Sequence, residues 1–319
     1  MSGLCKGLEY IKQLKMEKKI KIISILPVFN RINETLLCLK NLISLNNNEI
    51  NINVVLIDDG STDNTSAIIT SLYPSVNIVN GDGTLWWAGG VNKGFEYAEK
   101  CGEEYDYILI LNNDTIFNAK TLNQLLTVVK NQPKSVCAPV VVDEDSGSVY
   151  NAGLIQKGLL KELKPIHCSI FEKNEDVICD SVGTRFVLMS SQIISEVGFF
   201  DSKKFPHGYS DFDYFLRAKE KGYSIIVNTN SVISTVQNRN YLQYRLIEQT
   251  VNEFIKSFFD IKYSNNIKLQ FYESFSHKPL WAGGILFIKR MISLTRWLIL
   301  KVVLSEKKLK QIVENKWRL

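Results

Sequence analysis

The stretch "YDYILILNNDT" (residues 105–115) runs from an apolar segment straight into two amides and a carboxylate. It is followed by "AKTLNQLLTVVK" (119–130), whose apolar residues recur at helical spacing. A short Ile/Leu run bounded by polar residues reads as a buried strand, with Asn112, Asn113 and Asp114 at its carboxyl end. Polar groups in that place either form a turn and helix cap or hold a ligand. The strand's neighbours decide between the two.

Those neighbours repeat the pattern. "KIISILPV" (21–28), "INVVLIDDG" (52–60) and "VNIVNG" (76–81) read as strands. "NETLLCLKNLISL" (33–45), "NTSAIITSLY" (64–73) and "GGVNKGFEYAEKCG" (89–102) read as the helices between them. Strands nearly continuous in Val, Ile and Leu, each followed by a helix, predict an α/β fold with a mostly parallel central sheet flanked by helices. Polar strand ends then gather along one edge, where open α/β sheets bind ligands. Beyond about residue 135 the alternation loosens. "SVCAPVVVD" (135–143) and "VYNAGLIQKG" (149–158) read as strands, and "DSVGTRFVLMSSQIISEVGFFD" (180–201) as a strand leading into a helix. "YSDFDYFLRAKEKGY" (209–223) reads as a helix closed by Gly222, and "SIIVNTNSVIS" (224–234) as a strand. The expected organisation is a basic N-terminal extension (1–19), an α/β region (20–240) and a helical C-terminal region (241–319).

The 319 residues are 45% hydrophobic and 22% charged, an ordinary globular composition. A net charge of +5 and the lack of any nucleic-acid-reading motif predict no nucleic-acid partner. Six cysteines, at 5, 38, 101, 137, 168 and 179, form no CxxC pair, so free thiols in a reducing, cytoplasmic compartment are expected. No secretory signal and no uninterrupted membrane-length apolar run is apparent.

Acids stand at two adjacent strand ends: Asp58 and Asp59 in "IDDGSTDNT", and Asp114 in "LNNDT". Their mutual repulsion costs energy unless ligand donors or a cation offset it. "ILPVFNR", "VVLIDDGSTDNT", "GGVNKGFEYA", "ILILNNDT", "GTRFVLMSSQIISEVGFFD" and "YSDFDYFLRAKEKGY" follow one another in order. This ordered set, over roughly residues 20–240, resembles the inverting glycosyltransferases of family 2, which have the GT-A fold. The "GDGTLWW" and "NND" details are similar to rhamnosyltransferase-like members.

The resemblance implies the following roles. "LNNDT" takes the place of the family's metal motif, with Asn112 and Asn113 where acids often stand. Asp114 is then the ligand of a Mg2+ or Mn2+ ion on the donor diphosphate, a hard ion suited to carboxylate and phosphate oxygens. With amides for acids, metal affinity in the absence of donor is expected to be weak. Asp58 and Asp59 match positions that receive the base and ribose. Pro27, Phe29 and Arg31 line the same pocket, unless Arg31 is simply a solvated charge. Asn92 and Asn113 are placed near the donor, and Asp82 is expected to bind nucleotide rather than only cap a turn. Trp86 and Trp87 are expected to divide into a core anchor and an exposed platform, with Trp87 assigned to the sugar side. Gly183, Thr184 and His207 are placed there too.

Asp211 matches the Asp of the family's acidic pair, with Ser210 where Glu is frequent, and is expected to be the catalytic base. Asp213, two residues on, faces elsewhere on a helix and stands four before Arg217, so it is expected to support the acceptor side through an ion pair. No His follows the last strand as a further metal ligand; Thr235, Gln237, phosphate or water is expected to substitute.

In "LWAGGILFIKRMISLTRWLILKVVL" (280–304), Lys289, Arg290, Arg296 and Lys301 fall within an arc of about 140° on a helix. With Trp281 and Trp297 this favours a helix lying on an anionic membrane surface, the alternatives being core packing or a homodimer contact. The expected function is transfer of a sugar from dTDP-rhamnose or a UDP-sugar to a saccharide or lipid-linked acceptor, on the inner face of the plasma membrane, in cell-surface polysaccharide synthesis. Two rivals stand beside it. A sugar nucleotidyltransferase is expected to have a Gly-rich basic loop after the first strand, which "LPVFNR" does not supply. A non-catalytic binding subunit sits poorly with Asp58, Asp59, Asp114 and Asp211 all present.

Overall fold

The computed structural model describes residues 19–166, 175–235 and 242–317. Most of the N-terminal extension, Cys5, Cys168 and Gln237 lie outside them. The strands are β1 (Ile20–Val28), β2 (Ile50–Asp58), β3 (Asn77–Asn80), β4 (Tyr107–Leu111), β5 (Thr115–Ile116), β6 (Ser135–Asp143), β7 (Val149–Asn151), β8 (Leu154–Lys157), β9 (Glu162–Pro165), β10 (Val177–Cys179), β11 (Phe186–Ser190) and β12 (Ser224–Thr235). Helices α1 (Ile32–Ile43), α2 (Thr65–Leu72), α3 (Trp86–Lys100), α4 (Ala119–Asn131), α5 (Ile193–Val197) and α6 (Ser210–Glu220) lie between them.

One ten-stranded sheet orders β10-β12-β6-β11-β4-β1-β2-β3, with β5 on β12 and β7 on β6. Strands β3, β2, β1 and β4 are parallel, as their apolar runs predict, and β12 is parallel to β6. Strand β11 is antiparallel to both β4 and β6, so the sheet is mixed. Both faces are covered. Leu39, Leu42, Leu122 and Leu125 of α1 and α4 pack on one, and Val91, Phe95, Tyr214 and Phe215 of α3 and α6 on the other. Gly94 lets α3 settle onto β1, because a Cβ there would lie 2.4 Å from the Ile25 side chain.

Register gathers the polar ends. Val28 pairs with Asp58, and Asp58 with Asn80. Leu111 pairs with Phe186, which brings Arg185 opposite Asn112; the Asn112 N–H donates to the Arg185 carbonyl at 3.1 Å. Thr115 pairs with Thr235 at the end of β12. The loops after β1, β2 and β4 and the approach to β11 thus share one sheet edge.

After β12 come α7 (Leu242–Glu248), α8 (Val251–Lys256), α9 (Ile267–Phe275), α10 (Leu280–Val303) and α11 (Glu306–Trp317). They build a small core of Leu246, Phe254, Trp297, Leu309 and Val313. Trp297 is therefore buried and does not sit at an interface level, contrary to the sequence expectation. The four cations of α10 do not share a solvent face either. Arg290 pairs with Glu273, and Lys301 donates to the Leu246 carbonyl at 2.7 Å. A helical projection cannot register that neighbouring helices bond part of the polar arc. What α10 does expose is Trp281, Ile285, Ile288, Ile292, Ile299 and Val302, beside Lys289 and Arg296. No helix among the described residues is long and apolar enough to cross a membrane.

Candidate active site

The loops after β1 and β2 lock together. Asn30 and Arg31 are left-handed, at φ 58° and 62°. The Asn30 N–H donates to Ser61 Oγ at 2.7 Å, and its side-chain oxygen accepts from the Thr62 N–H at 2.8 Å. Asp63 accepts from the Ile32 N–H at 3.0 Å and so satisfies the first turn of α1. Asp58 accepts from the Ser61 N–H at 2.8 Å and from the Ser66 hydroxyl.

Several residues expected at the donor are engaged in holding these loops. Asp59 accepts from three backbone N–H groups, of Gly83 at 2.9 Å, Leu85 at 3.2 Å and Trp86 at 3.0 Å. Its carboxylate organises the turn into α3 rather than standing open to a ribose. Asp82 is exposed and accepts from the hydroxyl and N–H of Thr84, which hold its carboxyl below the usual range, so it caps its own turn. Asn92 exchanges two hydrogen bonds with the Phe200 backbone, both 2.9 Å, and its amide is not directed at a donor. Of the tryptophans, Trp87 is the anchor. Its ring packs edge-on against Phe200 at 5.4 Å and its Nε1 donates to Asn112 Oδ1 at 3.2 Å. Trp86, at φ 56°, is half-buried like Trp87 and lies against exposed His207, with ring centroids 5.8 Å apart. Pro27 faces the Gly90 backbone of α3, whereas Phe29 is 56% exposed at the rim.

The open part of the edge centres on Asp114. Its Oδ1 is buried and accepts no hydrogen bond, with Arg185 at a loose 3.5 Å. Its Oδ2 is 3.4 Å from Arg31, whose side chain is 56% exposed. Arg31 is thus part of the Asp114 cluster. Asn113 donates to Thr35 Oγ1 at 2.9 Å. Across from these lies "GTR": a Cβ on Gly183 would sit 3.8 Å from Asp211 Oδ2 and 2.8 Å from the Asn151 side chain. The Asp211 carboxyl is pushed up to about 6 by burial, against the pull of the Phe212 and Thr184 amides and the Arg185 charge. Burial thus outweighs the backbone amides at the start of α6.

Asp213 turns away from this edge. It accepts from Arg217 Nε at 2.9 Å, while the same guanidinium donates to the carbonyls of Val197 and Phe199. It also meets His277 Nε2 at 3.0 Å. The ion pair predicted by the i, i+4 spacing is present, but Asp213 faces a structural network and not the acceptor side.

These features belong with a known family. The family model for glycosyl transferase family 2 matches residues 24–188, just over half of the chain and most of the sheet edge described above. The chain belongs to glycosyl transferase family 2. Curated relatives of this family 2 chain include the N-acetylglucosaminyl-diphospho-decaprenol L-rhamnosyltransferases of two Mycobacterium tuberculosis strains. Each is 25% identical over 116 residues, 34% of this chain and 38% of the relative. The chain thus matches well under half the length of these relatives. A crystal structure of GalNAc-T7 with UDP, GalNAc and Mn2+ is similar in fold, with TM-score 0.56 and 11% identity over 76% of this chain and 50% of that one. The family and this likeness establish the GT-A fold, a mostly parallel sheet between helices with further helices at the C-terminus.

A divalent ion fits Asp114 of the family 2 chain. An unbonded, buried carboxylate oxygen at a strand end is the donor a hard cation takes. No group of three acidic, His or Cys side chains gathers among the described residues, so the other ligands would be phosphate and water. The hydroxyl of Thr235, one of the expected substitutes for a histidine, accepts from Arg185 at 3.2 Å. Sequence reasoning missed Arg185, Asn151 and His277. Arg185 was legible as a lone cation opening an apolar strand, "TRFVLM"; the other two left no local signal.

Proposed function

We propose that this chain is an inverting glycosyltransferase that moves a sugar from a nucleotide-diphospho-sugar to a hydroxyl of a saccharide or lipid-linked acceptor. The observation that carries the reading is the pairing of two unlike acids across one strand end: Asp114 with a free oxygen, and Asp211 with its carboxyl pushed up to about 6. A base titrating there is ionised at neutral pH yet retains more proton affinity than an ordinary Asp. Asp211 takes the acceptor proton, the acceptor oxygen bonds the anomeric carbon from the face opposite the nucleotide, and the nucleoside diphosphate leaves with the bonding pair. A Mg2+ or Mn2+ ion held by Asp114 would supply Lewis-acid stabilisation of that leaving group. Pro27 and Phe29 line the donor side, with Asp58 holding the loop between β2 and α2; Gly183 and Thr184 leave room beside the base, with His207 and Trp86 at the outer rim.

The relatives' names direct the choice of substrates. They support dTDP-rhamnose as donor and a polyprenyl-diphosphate-linked sugar as acceptor, in cell-surface polysaccharide synthesis, with UDP-sugars as the alternative donors. The test is a hydrolysis and transfer screen with dTDP-rhamnose, UDP-glucose, UDP-galactose and UDP-N-acetylglucosamine in Mn2+. Turnover of one donor is expected; no turnover and no binding of any would overturn the reading. A lipid-linked acceptor also suits attachment of the exposed face of α10 to the inner leaflet of the plasma membrane. Apolar side chains flanked by Arg296 and by Lys289, which also pairs with Glu162 at 3.1 Å, support this. The double substitution Ile288→Asp with Ile292→Asp is expected to abolish flotation with anionic vesicles.

A further inference from the structure

We propose that Arg185 is the protein cation that meets the departing nucleoside diphosphate, an inference that rests on the glycosyl-transfer reading of the same site. The position is fixed first by backbone. The Arg185 carbonyl accepts from the Asn112 N–H and from Thr115 Oγ1, both at 3.1 Å. The residue is thereby pinned to both ends of the Asn-Asn-Asp turn. Its side chain is only 14% exposed and runs along the edge, 3.2 Å from Thr235 Oγ1 and 3.5 Å from Asp114 Oδ1. Its charge also acts on Asp211, where it favours the ionised carboxylate.

The contact with Asp114 differs from that of a structural arginine in the same molecule. Arg217 holds Asp213 at 2.9 Å and two carbonyls at 3.0 and 2.9 Å. Arg185 approaches Asp114 without a hydrogen bond, leaving a buried carboxylate oxygen unbonded. A bound diphosphate would offer its oxygens to the guanidinium fork, and Asp114 Oδ1 would then be available to a cation.

The chemistry calls for a charge at that point. As the acceptor oxygen bonds the anomeric carbon, the bond from that carbon to the diphosphate oxygen breaks. Its electron pair stays on the diphosphate, whose negative charge grows by one unit, while the acceptor proton passes to Asp211. A preorganised cation in a secluded site stabilises that developing charge. With Asn112 and Asn113 where further acids would bind a metal more strongly, the protein supplies part of the positive charge itself. Arg31 contributes less, being 56% exposed and screened.

The test is calorimetry of dTDP, UDP, dTMP and UMP, with and without Mn2+, on the full chain and on Arg185→Gln and Arg185→Lys, with melting temperatures alongside. Loss of a charge-assisted contact predicts that R185Q binds the diphosphates at least about tenfold more weakly. Monophosphate affinity should change by less than about threefold, and R185K should recover part of the loss. If R185Q proves unstable, R185K alone decides, because its point charge cannot reproduce the fork and selective loss of diphosphate affinity is still expected. Unchanged diphosphate affinity at unchanged melting temperature overturns the proposal while leaving the donor site standing. An equal loss of mono- and diphosphate affinity with a lower melting temperature makes Arg185 scaffolding and also overturns it. A parent chain that binds none of the four nucleotides overturns the glycosyl-transfer reading and this inference with it.

Discussion

Two stretches of one sheet edge treat their polar side chains in opposite ways. Between residues 58 and 92, Asp58, Asp59, Asp82 and Asn92 all find protein partners, most of them backbone N–H groups. At residues 114 and 211, one carboxylate keeps a buried oxygen unbonded and the other is driven toward its protonated form. Buried polar groups are normally satisfied, so the unbonded oxygen of Asp114 is where ligand chemistry is expected, whereas Asp211, which accepts from the Phe212 N–H at 3.0 Å, stands apart by its raised pKa. The polar positions of "DDGSTDNT" and "GDGTLWWAGGVN" are thus largely the scaffold that presents Asp114 and Asp211.

The sharpest way to break this contrast is to swap acids for amides on α6. Asp211→Asn is expected to lower transfer by roughly 10²–10⁴-fold with donor affinity intact, as loss of a general base does. Parent activity should rise with pH through about 6, where Asp211 loses its proton, and level off above. The linkage has a definite sign. A carboxyl whose folded pKa exceeds its unfolded 3.8 makes the fold less stable as pH rises from 3.8 to about 6. Asp211→Asn should therefore gain on the order of 1–3 kcal/mol in urea unfolding at neutral pH while losing activity. Asp213→Asn should do the reverse, keeping turnover and losing stability. If Asp213→Asn is folded but inactive and Asp211→Asn is active, the base is Asp213 and the contrast fails.

Next in size is Asp114→Ala. It should abolish the Mn2+-dependent part of dTDP or UDP affinity, a loss of about tenfold or more by calorimetry, with the melting temperature held. Oδ1 makes no hydrogen bond in the fold, and Oδ2 gives up only a long contact, 3.4 Å, to exposed Arg31. Identical affinities with and without Mn2+ in parent and variant would take Asp114 out of the metal site. Asn92→Ala tests the scaffold side. It leaves the Phe200 N–H and carbonyl unpaired and should cost about 1–3 kcal/mol of stability, with donor affinity changed by less than about threefold. A large affinity loss at parental stability would return Asn92 to the donor.

The sequence made the sheet legible because parallel buried strands are nearly uniform in Val, Ile and Leu, and each ends on its own turn chemistry. Strand β11 escaped orientation, since four buried apolar residues and a half-buried serine read the same in either direction. The strand-end place of Asp114 was legible in the residues themselves, whereas Asp211 was singled out by the resemblance to family 2. The roles of Asp59 and Asn92 were not, because their partners are backbone atoms: those of Gly83 to Trp86 for Asp59, and that of Phe200, 108 residues away, for Asn92. Backbone partners leave no mark in residue identity. The outward face of α10 was misjudged for a related reason. Trp297, Arg290 and Lys301 look amphipathic on one helix, and only the small core around Leu246 and the pairing with Glu273 turn them inward.

The smallest expected effect concerns the seam between the α9–α10 connection and α6, where His277 joins Asp213 at 3.0 Å and Glu220 at 2.8 Å. Burial works against the charged ring, but the hydrogen bonds and charges of Asp213 and Glu220 outweigh it, and the His277 pKa is raised. Asp213 is likewise opposed by burial, yet His277 and Arg217 hold its carboxyl below the usual range. The two groups act at opposite ends of the pH scale. The His277 contribution is complete below 6.5 and fades as pH rises through its raised folded value. The Asp213 contribution is complete above 3.8 and fades as pH falls through its lowered folded value. His277→Gln should therefore cost stability, about 1 kcal/mol for a half-buried pair, in mildly acidic buffer, and clearly less in alkaline buffer. Urea unfolding of parent and variant across that range reads the difference directly. A gap that stays constant with pH would mean that His277 packs as a neutral ring. The seam would then owe its stability to shape, and the contrast between held and open polar groups would not extend beyond the sheet edge.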